Sequence, residues 1–188
     1  MTDERIPLLD VDTAKQAAAS AGIPDYLAQL SVFRVALHNP NVASALNALL
    51  QHLLWQGSFD TRLRELIIMR LGWATGSEYE WTQHWRVATQ LGVDEEDLRA
   101  VRDWRHSDRF GPVERAVLAA TDETIADGTI SDGTWAACSN AFGGDPEVLV
   151  ELVAVIGNWR LFSALLRSLA VPLEDGVQPW PPDGHSPP

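Results

Sequence analysis

RLRELIIMRLGWATGSEYEWTQHWRVATQLGV, from Arg62 to Val93, is the stretch that decides the fold of this 188-residue chain. Its first part belongs to a segment, roughly Asp60 to Gly72, that leaves almost no polar side, which predicts a helix buried nearly all round. Its second part, Ser77 to Leu91, has one apolar and one polar half at helical spacing. The short connection at residues 73–76 makes the two helices antiparallel neighbours.

The apolar half of the second helix carries three chemically active side chains. Ser77, Glu80 and His84 fall within roughly 60° of one another at about 100° per residue. An unpaired carboxylate or imidazole in an apolar environment costs several kcal/mol, so these groups need a hydrogen-bonding partner or a task. Glu65, on the preceding helix, is expected to lie towards Glu80 and His84. We identify His84 as the acid/base candidate, because an imidazole with a pKa of about 6.5 exchanges protons at neutral pH.

Each of these side chains also has a structural interpretation. His84 could be a buried histidine whose two nitrogens are satisfied by carboxylates, so that it holds the helix pair together. Glu65 and Glu80 could each form an ion pair with an arginine of the first helix. The candidate arginines are Arg62, Arg64 and Arg70. Two carboxylates in one apolar site should not both ionise freely, so one of them could stay protonated and act as an acid.

Ser77 is expected to cap the second helix, with Glu80 as its capping-box partner three residues on. In that arrangement Glu80 turns back to the backbone amide of Ser77, which competes with a catalytic role for Glu80. A metal site built from Glu65, Glu80 and His84 is conceivable, but it ranks below a proton relay. The other four histidines form no ligand spacing with one another, and they are His38, His52, His106 and His185.

Aromatic residues are numerous, with 8 tryptophans in the chain. Five of them are expected in the core or at a subunit interface, and they are Trp55, Trp73, Trp81, Trp85 and Trp159. Trp81 and Trp85 flank the His84 position and could wall a pocket that excludes water. Tyr79 projects to the polar side of its helix and is expected at the surface or at an interface. Cys138 is interpreted as a small buried hydrophobe.

The rest of the chain has helical periodicity almost from end to end, and no alternating strand of convincing length is found. Further helices are predicted over residues 13–21, 24–37, 40–55, 94–101, 112–126 and 131–142, and from residue 145 onwards. The sequence therefore predicts an all-α fold with a single helical domain over residues 1–175. The proline-rich tail, residues 176–188, cannot be helical and is predicted to be a flexible end or an arm that wraps a neighbour.

Charge and composition exclude several classes of protein. The net charge of −12 argues against nucleic acid or an anionic membrane surface as the main partner. The single cysteine excludes an intramolecular disulfide framework. No apolar run approaches the roughly 20 residues of a membrane helix, and the N-terminal MTDERIPLLD lacks the apolar core of a signal peptide. A soluble cytoplasmic protein is predicted.

The helix that begins after Asp145 is the most apolar element of the chain. Apolar residues occupy most of its sides, which gives it more apolar surface than one copy comfortably covers. A homo-oligomer is therefore expected.

The central stretch resembles the superfamily of carboxymuconolactone decarboxylase and alkylhydroperoxidase D. The resemblance extends to HNP at residues 38–40 and to ELVAVIGNWRLFSALLRSLAV at residues 151–171. In the peroxidase branch a Glu is followed twelve residues later by the first cysteine of a CxxC motif, and a His comes four residues after the second cysteine. Glu65, Ser77, Glu80 and His84 occupy those positions here, so both cysteines are absent.

The resemblance implies an all-α fold with a trimeric or hexameric assembly, an acid/base site built on Glu65 and His84, and no metal or redox cofactor. Without the CxxC pair, thiol peroxidase chemistry in the family's form is excluded. The predicted activity is decarboxylase-like chemistry on a small organic acid or lactone, in which His84 moves a proton and Glu65 and Glu80 set its protonation state. The candidates for substrate binding are Ser77, Trp81, Arg62 and Arg70.

Two alternatives remain open at this point. A proton-transfer isomerase or cyclase would use the same residues without loss of carbon dioxide. A non-catalytic oligomeric binding protein would keep Glu65, Glu80 and His84 as a buried structural network, and replacing them would then change only stability or assembly.

Overall fold

The computed structural model describes residues 5–188, and within this range the chain forms nine α-helices and no strand. The helices are α1 (Val11–Ala21), α2 (Ser31–Ala36), α3 (Pro40–Gln51), α4 (Thr61–Thr75), α5 (Glu78–Gln90), α6 (Glu95–Ala100), α7 (Pro112–Asp127), α8 (Asp132–Ala141) and α9 (Pro146–Leu169). The prediction of an all-α fold is confirmed. The first four residues of the N-terminal segment interpreted above lie outside the described range.

Two predicted helices are interrupted. The helix expected from Pro24 divides into a 3₁₀ turn at Leu27–Gln29 and the short α2, because Leu30 between them is extended, with φ −76° and ψ 136°. The helix expected over residues 40–55 leaves α geometry after Gln51 and continues as a π-helical turn over His52–Gln56.

Contacts divide the chain into two compact units. One consists of the chain up to Gln56 together with Ala164–Val177, and the other of Gly57–Ser163 together with Gln178–Pro188. The boundary predicted at residue 175 stays a prediction. All predicted site residues lie in the second unit, which we call the site unit.

The core of the unit that contains α1 to α3 combines alanines with larger apolar side chains. Ala14 and Ala18 of α1 are fully buried, and Phe33 of α2 is 2% exposed. Asn39 caps α3 by accepting a hydrogen bond from the Val42 N–H, with Pro40 in the first turn. The Glu174 carboxylate accepts a 2.9 Å hydrogen bond from the Ser31 N–H, which ties the segment after α9 to the start of α2.

The α4–α5 hairpin is the centre of the site unit. Eight of the nine residues from Leu63 to Leu71 are buried, as the sequence predicts for a helix without a polar side. Gly76 ends α4 in the left-handed conformation, with φ 67°. Gly72 lets the two helices approach closely, because a Cβ there would lie 3.1 Å from the backbone nitrogen of Trp81.

The long helix α9 differs from one sequence expectation. It has 24 residues and a mean hydropathy of 1.6 over its most apolar window, so by length and composition alone it could cross a membrane. The expectation that no segment approaches such a span is therefore wrong. Half of the window is buried inside the protein, as in a core helix.

The proline-rich tail binds its own chain, contrary to the expectation of a free end or an arm on a neighbour. The Trp180 N–H donates to the Thr82 hydroxyl of α5 at 3.2 Å, and the Pro181 carbonyl accepts from the Trp81 indole N–H at 2.7 Å. Asp183 forms an ion pair with Arg102 at 2.8 Å. These contacts cover part of the polar half of α5, which explains why Thr82 is buried there.

Candidate active site

Glu65 and His84 meet across the α4–α5 hairpin. Oε2 of Glu65 lies 2.8 Å from Nδ1 of His84. Glu65 is 0% exposed and His84 is 9% exposed, so water competes little for this contact. The sequence prediction that the hairpin brings these two residues together agrees with this geometry.

Arg64 holds the other oxygen of the Glu65 carboxylate. Its Nε and Nη2 donate to Oε1 of Glu65 at 3.0 and 2.9 Å, and Arg64 is itself 3% exposed. Burial opposes ionisation of Glu65, but the adjacent His84 and Arg64 outweigh burial and hold the pKa of Glu65 below its ordinary value. Glu65 is therefore an ionised carboxylate, and the arginine pairing considered for it is made by Arg64.

Glu80 approaches His84 from the preceding turn of α5. Its Oε2 lies 3.6 Å from Nε2 of His84, and the residue is 5% exposed. Burial raises the pKa of Glu80 to about 7, which puts its carboxyl group close to half-protonated at neutral pH. The two glutamates thus differ in charge state. Arg64 and His84 keep Glu65 ionised, whereas burial is the main influence on Glu80 and favours its protonated form.

The capping box expected between Ser77 and Glu80 does not form. Ser77 occupies the N-cap position, but its hydroxyl makes no capping hydrogen bond. Its backbone N–H donates to the Gly72 carbonyl at 2.8 Å and so is not available to Glu80. Glu80 consequently faces His84 rather than the helix terminus.

Trp159 of α9 completes the surroundings of His84. Its indole N–H donates to Nε2 of His84 at 3.0 Å, and the two rings meet edge to face with centroids 5.5 Å apart. The sequence placed Trp159 in the core or at an interface, and it is 1% exposed. No sequence signal linked it to His84, because the two residues are 75 positions apart.

His84 is therefore subject to opposing influences. Burial lowers the pKa of an imidazole, whereas the Glu65 carboxylate at Nδ1 and the nearby Glu80 raise it, and the carboxylates prevail. His84 thus has a raised pKa in a site with little access to water.

Two buried polar side chains of the site unit have no hydrogen-bond partner among residues 5–188. One is Ser77, whose Oγ is unpaired and which is 0% exposed. The other is Asn158, the neighbour of Trp159 in the sequence, whose side-chain oxygen and nitrogen are both unpaired at 3% exposure. Leaving such groups unsatisfied costs about 1–3 kcal/mol each. Asn158 was not singled out by the sequence, where it is one polar residue on an apolar helix.

The two arginines considered for substrate binding make other contacts. Arg62 binds Asp97 at 2.6 Å and Glu114 at 2.7 Å, and so ties α4 to α6 and α7. Arg70 binds Asp122 of α7 at 2.6 Å. Their guanidinium groups are thus engaged by carboxylates of other helices, and the structure does not bring them to His84.

Trp81 belongs to an aromatic cluster. Its ring centroid lies 5.2 Å from that of Trp73, 5.9 Å from Trp85 and 6.2 Å from Trp180. The guanidinium of Arg102 lies over the rings of Trp73 and Trp81 at 4.6 and 4.9 Å. We call these four tryptophans with Arg102 the tryptophan cluster.

Tyr79 and Trp55 differ in exposure from what the sequence predicts. Tyr79 is 6% exposed and not at the surface of the chain. Trp55 is 59% exposed, so a place in the core of this chain is wrong, and an interface role for it stays a prediction.

Cys138 is buried on α8, as expected, and its Sγ donates to the Ala116 carbonyl at 3.5 Å. Burial raises the pKa of its thiol to about 11. In the part of the chain that the structure describes, no three His, Cys, Asp or Glu side chains are grouped as a metal ion requires.

Comparisons with known proteins agree with the fold. The carboxymuconolactone decarboxylase family model matches residues 40–123, a range that includes the whole α4–α5 hairpin. None of the curated proteins compared with the chain matches it significantly.

Solved structures match over most of the chain. The alkylhydroperoxidase AhpD core of an uncharacterized peroxidase-related protein from Ralstonia eutropha JMP134 has a TM-score of 0.72 and 18% identity, over 91% of this chain and 92% of that one. The debrominase Bmp8, as a cysteine-to-alanine variant in complex with 2,3,4-tribromopyrrole, has a TM-score of 0.69 and 19% identity, over 93% and 94%. An uncharacterized peroxidase-related protein from Silicibacter sp. TM1040 has a TM-score of 0.69 and 15% identity, over 93% and 92%. At these identities the likeness concerns the fold alone, and the fold prediction is confirmed.

Proposed function

We propose, from the match of residues 40–123 to the carboxymuconolactone decarboxylase family model and from the fold shared with alkylhydroperoxidase AhpD-like structures, that this chain is an acid/base enzyme acting on a small organic acid or lactone. One observation carries the proposal. A buried imidazole has an ionised carboxylate, Glu65, at Nδ1 and a carboxyl group with a pKa of about 7, Glu80, on its Nε2 side. Groups that titrate near neutral pH in a buried site are suited to proton transfer.

Each of the three residues has a distinct role in this mechanism. Arg64 keeps Glu65 ionised, and Glu65 orients the imidazole through Nδ1. His84 takes or gives a proton at Nε2. Glu80 is the acid that restores the proton, since its raised pKa leaves a large protonated fraction at neutral pH.

In a decarboxylation the substrate loses carbon dioxide from its carboxylate, and the electron pair of the broken bond moves into a conjugated carbonyl. The resulting enolate then receives a proton at carbon, from His84 or Glu80. The loss of charge-stabilising water in a buried site favours release of carbon dioxide from a carboxylate. An isomerisation would use the same proton transfers with no carbon–carbon bond broken.

The unpaired polar groups support a binding site for a small polar molecule. The Ser77 hydroxyl can donate to a substrate carbonyl or carboxylate, and the Asn158 amide can both donate and accept. No group of the described chain pairs with these buried atoms, so a bound substrate with complementary polar groups would satisfy them. We assign Ser77 and Asn158 to substrate binding on this ground.

Thiol chemistry is not part of the proposal. The compared structures include two described as peroxidase-related, but a peroxidatic thiol must be exposed and readily ionised. Cys138 has the opposite properties, since it is buried and its pKa is raised to about 11.

A homo-oligomer remains part of the proposal. Val150, Val153 and Leu161 lie along α9 at helical spacing and are 70%, 45% and 47% exposed. Apolar side chains aligned along one helix at this exposure are typical of an interface between subunits.

A turnover assay in D₂O tests the proposed function. The protein would be incubated with carboxymuconolactone, a β-keto acid and an unsaturated lactone acid, and NMR would follow carbon dioxide loss and deuterium uptake at carbon. We expect turnover of at least one compound by the wild type and a loss of about 10²–10⁴-fold in His84→Gln. Glu96→Gln, at an exposed ion pair, is the matched control and should retain full activity.

Three outcomes are informative. Deuterium uptake without carbon dioxide release would replace decarboxylation by isomerisation at the same residues. Turnover that is equal in the wild type and in a folded His84→Gln variant would refute the proposed role of His84. No turnover of any compound, with the variants differing only in stability, would favour the non-catalytic alternative.

A further inference from the structure

The hydrogen bonds around His84 determine which of its nitrogens carries the proton. An indole N–H can only donate, so Nε2, which lies 3.0 Å from Nε1 of Trp159, must accept with its lone pair. A neutral imidazole carries a proton on one nitrogen, which is then Nδ1. Nδ1 in turn donates to the Glu65 carboxylate at 2.8 Å. Both hydrogen bonds are therefore satisfied by a single tautomer of the neutral ring, the one with its proton on Nδ1.

The charged groups facing this ring come from two helices. Glu65 and Arg64 belong to α4, and Glu80 belongs to α5. The third packed element, α9, contributes the uncharged Trp159. When Nε2 takes up a proton, two N–H groups face each other at the Trp159 contact, and that contact is lost. The carboxylate that can accept from the new N–H is that of Glu80, whose Oε2 lies 3.6 Å from Nε2.

We propose that Trp159 is a positioning residue that holds His84 as the neutral tautomer with its proton on Nδ1, and that protonation transfers the Nε2 hydrogen bond from Trp159 to Glu80. The proposal rests on the proposed function of His84, because it describes how the same imidazole is kept ready to accept a proton. It adds a residue 75 positions away in the chain to the residues that set the state of the ring.

Trp159 and Glu65 have opposite effects on the ring. The Glu65 carboxylate favours the imidazolium, whereas the Trp159 N–H favours the neutral imidazole because it needs a lone pair at Nε2. Glu65 alone would stabilise the charged ring, which is a poor base. The Trp159 contact compensates in part and so keeps Nε2 able to receive a proton from a substrate.

The ring geometry supports a specific hydrogen bond over simple core packing. The indole N–H is directed at Nε2 of His84 over 3.0 Å, and the two ring planes cross at 84° and are not stacked. Trp159 is 1% exposed, so water does not substitute for either partner. A tryptophan that only filled the core could donate its N–H to any buried acceptor. Trp159 donates to Nε2 of His84, which is the nitrogen that exchanges protons in the proposed function.

Nitrogen-15 NMR of the histidine rings tests the proposal without any substrate. In the wild type above the His84 pKa we expect the nitrogen shifts of a ring protonated at Nδ1. Trp159→Phe keeps an aromatic ring and removes the donor, so the tautomer should become mixed and the His84 pKa should rise by about one unit. Trp104→Phe is the matched control, because it removes an indole N–H that donates to Asp122 at 3.1 Å and should leave His84 unchanged.

A second measurement needs no substitution. The indole N–H signal of Trp159 in the wild type should shift with pH along the His84 titration, because its acceptor disappears when Nε2 is protonated. An unchanged His84 tautomer and pKa in Trp159→Phe would overturn the proposal, and so would a Trp159 signal that does not follow the titration. Both readouts are independent of turnover, so failure of the proposed enzymatic function and failure of this inference are distinguishable.

Discussion

Oε2 of Glu65 lies 2.8 Å from Nδ1 of His84, and the two residues belong to successive antiparallel helices. Because Arg64 occupies the other carboxylate oxygen, the carboxylate cannot turn away from the imidazole without breaking two further hydrogen bonds. The position of the imidazole is thus fixed from the α4 side.

Glu65→Gln should lower the pKa of His84 by about one unit or more, because the neutral amide no longer stabilises the imidazolium. The measurement is an NMR pH titration of His84 in the wild type and the variant. Glu96→Gln, whose carboxylate pairs with Arg99 at the surface, serves as the control and should give the wild-type titration. An unmoved His84 pKa in folded Glu65→Gln would mean that the pair is not electrostatically coupled.

Glu80→Gln should stabilise the protein at high pH. The carboxyl of Glu80 ionises at an ordinary value of 4.5 in the unfolded chain and at about 7 in the folded one. Between these values the unfolded chain has released a proton that the folded chain keeps, so wild-type stability falls as pH rises and the loss is complete above about pH 7. Gln does not ionise, so this loss, at most about 3 kcal/mol, should disappear in the variant.

Urea unfolding of the wild type and Glu80→Gln at pH 4.5 and pH 8 measures this difference. The gain of the variant over the wild type should be larger at pH 8 than at pH 4.5. A variant that is equally stable or less stable at pH 8 would contradict the raised pKa of Glu80.

Trp180→Ala should release the tail from α5. Trp180 is 7% exposed within the tryptophan cluster, and loss of a buried tryptophan side chain costs about 3–5 kcal/mol. The indole N–H of Trp81 then loses its protection by the Pro181 carbonyl, so its hydrogen exchange should become faster. Trp135, which is 41% exposed, provides the reference for an accessible side chain in the same spectrum. Slow exchange at Trp81 in Trp180→Ala would show that the tail is held by other contacts.

Val150→Glu should dissociate the proposed oligomer. The side chain is 70% exposed on α9, so the substitution costs little within one chain, whereas a buried carboxylate at an interface between subunits is strongly unfavourable. Light scattering coupled to size exclusion would give the molar mass of the wild type and the variant. Val42→Glu on α3, at 46% exposure, is the matched control. A wild type that is monomeric at all concentrations would refute the oligomer directly.

Cys138 should react slowly with a thiol reagent in the native protein and rapidly after unfolding, because it is buried and its pKa is raised to about 11. The absorbance of the released aromatic thiolate follows the reaction. Peroxide turnover that disappears in Cys138→Ser would contradict this prediction and would restore thiol chemistry to consideration.

The meeting of Glu65 with His84 could be predicted because both signals are local. Helical periodicity places each residue on its helix, and a connection of a few residues determines how the two helices pair. Trp159 could not be assigned in the same way, because a tryptophan on an apolar helix looks the same whether its N–H meets a carbonyl or an imidazole. Its partner depends on a long-range helix contact that periodicity does not encode.

The capping box is a contact that the sequence predicts and the structure does not contain. Ser77 and Glu80 have the sequence spacing of the motif, but the Ser77 amide is already bonded to the Gly72 carbonyl, which is part of the left-handed end of α4. The tight turn between α4 and α5 therefore uses the donor that the motif requires. The ion pairs of Arg62 and Arg70 could not be predicted for a related reason, since their carboxylate partners come from α6 and α7.

The spacing of these contacts along the chain also bears on the order of folding. Glu65 and His84 are 19 residues apart in one helical hairpin, whereas Trp159 follows His84 by 75 residues. Closing the shorter loop loses less chain entropy, and local contacts generally form earlier than distant ones. During synthesis from the N-terminus, the carboxylate and the imidazole can thus meet before α9 has left the ribosome. Trp159 then docks against a pair that already exists, and its arrival selects one proton arrangement in a hairpin whose shape is already set.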